Sequence, residues 1–166
     1  MNILLTGGAG YIGSHTAIVL SQAGHEVVLL DNFCNSSKGV LVRLEKILGK
    51  PLKCVDADIR DTLKVAQILN ECKIDAVIHF AGLKAVGESV LKPLKYYQNN
   101  INGLLTLIKS MQEYKCNVLV FSSSATIYHP NNKIPYMEGM PLGCTSPYGW
   151  SKYMGEQILR DVEAVD

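Results

Sequence analysis

Apolar residues along the chain gather into five short, nearly continuous runs, each followed by a segment of helical length. The runs are Ile3-Leu4-Leu5, Val27 to Leu30, a weaker one at Leu52 to Val55, Ala76 to Phe80, and Val118 to Phe121. Runs without polar alternation are expected of parallel strands, because helices cover both faces of such a sheet. Between them the spacing predicts helices over Ser14–Ala23, Leu41–Leu48, Leu63–Cys72, Pro93–Tyr114 and Pro147–Val165. Gly24 suits a left-handed stop after the first, and Gly49 with Pro51 closes the second. Pro93 sits where a helix tolerates proline, in its first turn. The segment Asn32–Lys38 is polar and turn-rich, and a loop of about twenty residues follows the fifth strand, long enough to suggest function. Repeated β-α units with right-handed crossovers predict an α/β fold, a doubly wound parallel sheet in strand order 3-2-1-4-5.

Length adds that residues 1–166 make one domain, with little room for a second. The apolar share of 48% and charged share of 19% belong to a globular chain and exclude a disordered one. A net charge of +1 gives no broad electrostatic basis for binding nucleic acid or an anionic membrane. No apolar run approaches the roughly 20 residues that span a bilayer. Met1 to Thr6 enters a strand without a charged leader region, so no secretory signal is expected. The five cysteines (34, 54, 72, 116 and 144) never fall as C-x-x-C. A disulfide framework and a metal site are therefore not expected, and a cytoplasmic setting is.

Chemistry enters with the glycines after the first strand. Gly8-x-Gly10-x-x-Gly13 and Gly7-x-x-Gly10-x-x-Gly13 are both present, between a strand and a helix. In this setting the first glycine turns the chain sharply, Gly10 lets the backbone approach a pyrophosphate, and Gly13 lets the helix pack closely. The helix N-terminus then offers amides to the phosphates. Asp31 ends the second strand, 18 positions beyond Gly13, where an acid bonds the adenosine ribose 2′-hydroxyl. A carboxylate there repels a 2′-phosphate, and no Arg occurs until Arg43, so the expected cofactor is NAD and not NADP. The fold expected is of Rossmann type.

A second group of residues lies beyond the fifth strand. Tyr148 and Lys152 are four apart, on one face of the last helix. A free tyrosine, with pKa about 10, is a poor base at neutral pH. A nearby ammonium and a positive nicotinamide favour the phenolate, which then takes a hydroxyl proton as hydride leaves the same carbon. Ser124 is placed to hydrogen-bond that hydroxyl oxygen. Y-x-x-x-K alone is common on helices; joined to a serine run at the end of a fifth strand, it points to dehydrogenase-type chemistry.

With Asp58 added, these motifs resemble the extended short-chain dehydrogenase/reductase superfamily. Three stretches, Thr6–Thr16, His79–Val90 and Phe121–Tyr128, closely resemble its UDP-sugar 4-epimerases, over nearly the whole chain. The resemblance implies an isomerase that interconverts UDP-glucose and UDP-galactose. It implies that Gly7, Gly10, Tyr11, Ile12 and Gly13 lie at the pyrophosphate of NAD. Asp31, Asn32, Phe33, Cys34, Asn35 and Ser36 hold the adenosine ribose, and Asp58 and Ile59 flank the adenine. Phe80, Ala81, Gly82, Lys84, Asn99 and Ser122 line the rest of the cofactor. Lys84, Ser124 and Tyr148 face the sugar, and Lys152 holds the nicotinamide ribose beside Tyr148. The family also implies a homodimer through helices 93–114 and 147–165.

Two departures stand out: His129 where glycine often follows the tyrosine of its motif, and Trp150 at a smaller or polar position. Family members are about twice as long. The expectation is therefore a cofactor half without its substrate domain, with an exposed apolar edge at Val118–Phe121, weak NAD binding, and little or no turnover alone. A non-catalytic NAD-binding fragment is the alternative. A nucleotide-sugar dehydratase is disfavoured, because Ala125 and Thr126 stand where elimination needs an acid and a base. A net dehydrogenase stays open.

Overall fold

The computed structural model describes residues 1–165. The chain divides into two compact units, one of Met1–Ala81 with Leu105–Ser122, the other of Gly82–Leu104 with the chain from Ser123 onward.

The first unit is a five-stranded sheet. Its strands are β1 (Asn2–Thr6), β2 (Glu26–Asp31), β3 (Lys53–Asp56), β4 (Ala76–His79) and β5 (Val118–Phe121). All pairings are parallel, and the order is β3-β2-β1-β4-β5, as the alternation of runs and helices predicts. Helices α1 (Tyr11–Gln22), α2 (Gly39–Leu48) and α3 (Thr62–Glu71) connect the strands. Successive strand residues face opposite ways, so β1 feeds two cores. Leu4 joins Val28, Leu30 and Val77 against Val65 and Leu69 of α3 and against Leu107 and Met111. Ile3 and Leu5 join Val27, Leu29 and Ala76 against Ala17 of α1 and Leu44 of α2. Burial on both faces is why these strands read as unbroken apolar runs. At the sheet edge β5 leaves Val118 and Val120 half exposed.

The second unit contains α4 (Val86–Leu91), the first part of α5 (Pro93–Glu113), a 3₁₀ turn (Ala125–Ile127) and α6 (Pro147–Glu163). Ser146 caps α6 by accepting from the Gly149 amide at 3.1 Å, with Pro147 in the first turn. Polar hubs replace a broad apolar core here. The fully buried Tyr96 donates from its hydroxyl to Glu88 at 3.0 Å and accepts from the Ala85 amide at 3.1 Å. Asn100 accepts from the Leu83 amide at 2.8 Å and donates to the Leu83 carbonyl at 3.0 Å and to Ser151 Oγ at 2.9 Å. Each buried polar group is thereby satisfied, which keeps its desolvation from costing stability.

Two elements differ from the pattern-based expectation. Helix α1 begins at Tyr11, not Ser14, because Gly10 is extended and acts as its N-cap, so glycine-loop residues form the first turn. Helix α4 falls in a segment left unassigned by periodicity. It has six residues, and Val86, Val90 and Leu91 are all exposed, so it carries no apolar stripe to detect.

Leu107 is fully buried in the first unit, whereas Leu63 on α3 is 82% exposed. Leu107→Ala is expected to lower unfolding free energy by about 2–5 kcal/mol in a urea titration, and Leu63→Ala by roughly 0.5 kcal/mol or less.

Candidate active site

In the first unit the glycine loop leaves the end of β1 as a turn with no room for a side chain at Gly7 or Gly13. Gly7 has φ +68°, and a β-carbon there would stand 2.8 Å from Ala81 N and 2.9 Å from Ala81 Cα. A β-carbon on Gly13 would lie 2.5 Å from the Gly7 carbonyl oxygen and 2.8 Å from Gly8 Cα. All four distances are below any real contact, so α1 can start against the loop only with glycine at these positions. Gly10 brings no side-chain cap to the first-turn amides, and no acid lies in that turn. Its amides and the positive end of the helix dipole suit an anion. Tyr11 and Ile12 open the helix largely exposed.

Asp31 closes β2 and is only 8% exposed. Oδ2 accepts from the Ala9 amide at 2.9 Å; Oδ1 accepts from the Phe33 amide and from Ser36 Oγ, each at 2.9 Å. A carboxylate has about four acceptor positions, so three donors leave roughly one for a ribose hydroxyl. The same group ties the glycine loop to the segment after β2. Phe33 adopts a left-handed backbone, with φ 54°, as that turn requires, and Lys38 Nζ lies 5.3 Å from its ring centre. Cys34 and Asn35 are exposed; the Cys34 amide donates to Asn32 Oδ1 at 3.2 Å.

Asp58 is engaged with Arg60, a residue the sequence reading left out. Arg60 donates from Nε to Oδ1 and from Nη2 to Oδ2, both at 2.8 Å, and from its amide to Oδ1 at 2.9 Å. Asn32 Nδ2 adds a bond to Oδ2 at 3.1 Å. The Arg60 guanidinium first of all holds the Asp58 carboxyl far below the usual carboxylate range. The signal was the Asp-x-Arg spacing, which allows this fork only in a turn. Ile59 is buried beside it. At the end of β4, Phe80 N donates to the Thr6 carbonyl at 3.0 Å and Ala81 N to Thr6 Oγ1 at 3.3 Å, while Ser122 N donates to the His79 carbonyl at 3.2 Å. The sheet thus carries the expected first-unit residues at the carboxyl ends of its strands, the usual ligand side of such a sheet.

The second unit holds the other group. Gly82 faces the Asn100 amide, Lys84 is exposed, and Asn99 Nδ2 donates to Asn100 Oδ1 at 3.1 Å. Ser124 caps the 3₁₀ turn and is half-buried, as is Tyr148 near the start of α6. Ser123 Oγ donates to Glu156 Oε1 at 2.5 Å, and Glu156 pairs with Arg160 at 3.0 Å. Lys152, one turn beyond Tyr148, is only 6% exposed, and burial pushes its ammonium down to about 8. At pH 7 about nine-tenths of such a group still carries its proton. His129 packs its ring over Gly143, where a β-carbon would meet it at 2.5 Å. Trp150 is 39% exposed and lies 5.9 Å, centre to centre, from the Tyr153 ring. All five cysteines are free, and the described residues include no cluster of three or more His, Cys, Asp or Glu able to hold a metal ion. No described helix is long and apolar enough to cross a membrane.

A parallel sheet in this order, with a glycine-rich turn after β1 and an acid ending β2, defines a Rossmann-like α/β protein. The chain belongs to the NAD dependent epimerase/dehydratase family, whose model matches residues 3–165. It is 54% identical over 166 residues to a UDP-glucose 4-epimerase of Neisseria meningitidis serogroup A, covering 99% of this chain and 49% of that protein. The UDP-glucose 4-epimerase of Bacillus subtilis is 53% identical, over 100% of this chain and 49% of its own length. Among solved structures, a Bifidobacterium longum UDP-glucose 4-epimerase in complex with NAD⁺ and UDP superposes with a TM-score of 0.97 at 49% identity, covering 100% of this chain and 50% of that one. The chain spans about half the length of the curated relatives it matches.

Two measurements follow from this geometry. Gly13→Ala is expected to destabilise the fold by about 1–3 kcal/mol in a urea titration, since the Gly7 carbonyl must move to admit the methyl. For Lys152, the unfolded chain keeps a proton that the folded state releases from about pH 8 upward. The contribution of Lys152 to stability therefore rises with pH between about 8 and 10.5, with its burial cost fully present below that window. Thermal melts at pH 7.5 to 10 are expected to show the native chain gaining stability relative to Lys152→Met as pH rises through that window.

Proposed function

We propose that this chain is the NAD-binding part of a UDP-sugar 4-epimerase, acting on UDP-glucose and UDP-galactose. One observation carries the reading. A glycine cradle with Asp31 at the ends of β1 and β2 occurs in the same chain as a Ser124, Tyr148 and Lys152 group, at 54% identity to such an epimerase. Residues 1–166 form the cofactor-binding domain in this reading.

The residues present fit NAD. The first-turn amides of α1, with Gly7, Gly10, Tyr11, Ile12 and Gly13, hold its pyrophosphate. Asp31, with the segment through Ser36, holds the adenosine ribose, and its carboxylate excludes a 2′-phosphate. Asp58 and Ile59 flank the adenine, and Phe80, Ala81, Gly82, Lys84, Asn99 and Ser122 line the remaining length. The chemistry supplied by bound NAD is reversible acceptance of hydride from the sugar's C4.

The chain's own residues handle the proton. Tyr148 takes it from the 4-hydroxyl and later returns it to the 4-keto oxygen. Ser124 donates a hydrogen bond to that oxygen. Lys152, still mostly protonated at neutral pH, favours the tyrosine's phenolate and holds the nicotinamide ribose. Lys84 contributes a positive side chain toward the substrate. Ala125 and Thr126 offer neither acid nor base for elimination, which weighs against a dehydratase. A second copy pairs through α5 and α6, whose exposed Leu94, Trp150 and Met154 supply apolar surface.

A second reading is NAD binding without turnover. The purified chain is expected to bind NAD in a calorimetric titration, more tightly than NADP by about tenfold or more. Conversion of UDP-galactose to UDP-glucose is the deciding assay. Turnover that Tyr148→Phe lowers by about a hundredfold or more supports the epimerase reading. NAD binding with no turnover leaves the second, and absence of NAD binding defeats both. Light scattering is expected to give twice the monomer mass, and a monomer at high concentration would remove the pairing.

A further inference from the structure

We propose that Thr126 is a positioning residue that turns the Ser124 hydroxyl into a hydrogen-bond donor. The inference deepens the epimerase reading and rests on it in one respect, that Ser124 meets the reacting sugar oxygen.

A serine hydroxyl has one proton to give and two lone pairs to accept with. Both acceptor directions of Ser124 are served by one residue. The Thr126 amide donates to Ser124 Oγ at 3.3 Å, and Thr126 Oγ1 donates to it at 3.0 Å. With its lone pairs engaged, Ser124 has its proton left over for another acceptor. A carbonyl oxygen gaining negative charge needs a donor of that kind. A Ser124 that was free to rotate would spend part of its time accepting, and would give less to that oxygen.

A second contact fixes Thr126 itself. Gly149, the residue after Tyr148, approaches so closely that a β-carbon on it would lie 2.9 Å from the Thr126 carbonyl oxygen and 3.4 Å from Thr126 Oγ1. The Gly149 amide is in turn held by the Ser146 cap. Thr126 therefore sits between the Ser124 hydroxyl and the backbone turn that carries Tyr148. The β-branch restricts its rotamers, so the hydroxyl stays aimed at Ser124. Valine has the same shape without the donor, and serine keeps the donor without the methyl.

The test has two arms. In the first, Ser124→Cys replaces the hydroxyl with a thiol whose ionisation is read from alkylation rate against pH, resolved from the native cysteines by mass spectrometry. A hydroxyl donating to that sulfur favours the thiolate. Adding Thr126→Val is expected to raise the thiol pKa by about half a unit to one unit, and Thr126→Ser to bring it back. Thr126→Ala gives the same comparison if valine prevents folding. An unchanged pKa would overturn the proposal whatever the enzyme's activity.

The second arm follows UDP-galactose turnover in the otherwise native chain. Thr126→Val is expected to lower kcat about tenfold with KM within about twofold, and Thr126→Ser to restore most of it. A loss confined to KM, or one that serine does not rescue, would count against the role. If the native chain turns over no UDP-galactose, the reading of NAD binding without turnover is left, and the thiol titration alone decides the role of Thr126.

Discussion

The close approach of the glycine loop to its surroundings is the constraint on which the first unit depends. β1 is the central strand, paired on both edges and buried on both faces, so the chain leaving it has very little room. Gly7 turns out of the strand with its amide on the Leu30 carbonyl at 2.7 Å and its own carbonyl accepting from Gly10 at 3.0 Å. The same carbonyl lies where a Gly13 side chain would have to go. One short turn therefore joins β1 to α1 and keeps the α1 amides close to the sheet. A side chain at either position would push the helix away and dilute the anion-attracting end of its dipole.

Asp31 extends this arrangement by charge and hydrogen bonding. Its carboxylate is nearly buried, yet it receives three bonds from the glycine loop and from the turn after β2. A buried carboxylate without such partners would be costly, whereas here desolvation is offset and one acceptor position remains. Asp58 shows the opposite use of an acid. Arg60 and Asn32 take most of its capacity, so its charge organises the loop after β3.

The second unit is built differently. Its polar hubs, Tyr96 with Glu88 and Asn100 with Leu83 and Ser151, hold short elements that lack wide apolar faces. Directional bonds of this kind fix orientation more than they add net stability.

How much was legible beforehand follows from range. The five strands, their order and most helices depend on local period and on burial of both faces, and sequence shows both directly. The glycine loop and Asp31 were legible for the same reason, since fixed spacing after a strand carries their geometry. Helix α4 was not, because it lacks an apolar stripe and is held by Tyr96, buried some residues further on. Arg60 was missed because Asp-x-Arg forms a fork only once the turn exists. Thr126 looked like a small residue beside a candidate catalytic serine; only the folded turn set its hydroxyl on Ser124 and its backbone against Gly149. The sequence by itself determined the α/β order and which residue types could meet a dinucleotide, because those depend on neighbours a few positions away. The tertiary structure decided which hydroxyls and carboxylates keep a free proton or lone pair, because that depends on partners the chain brings together only on folding.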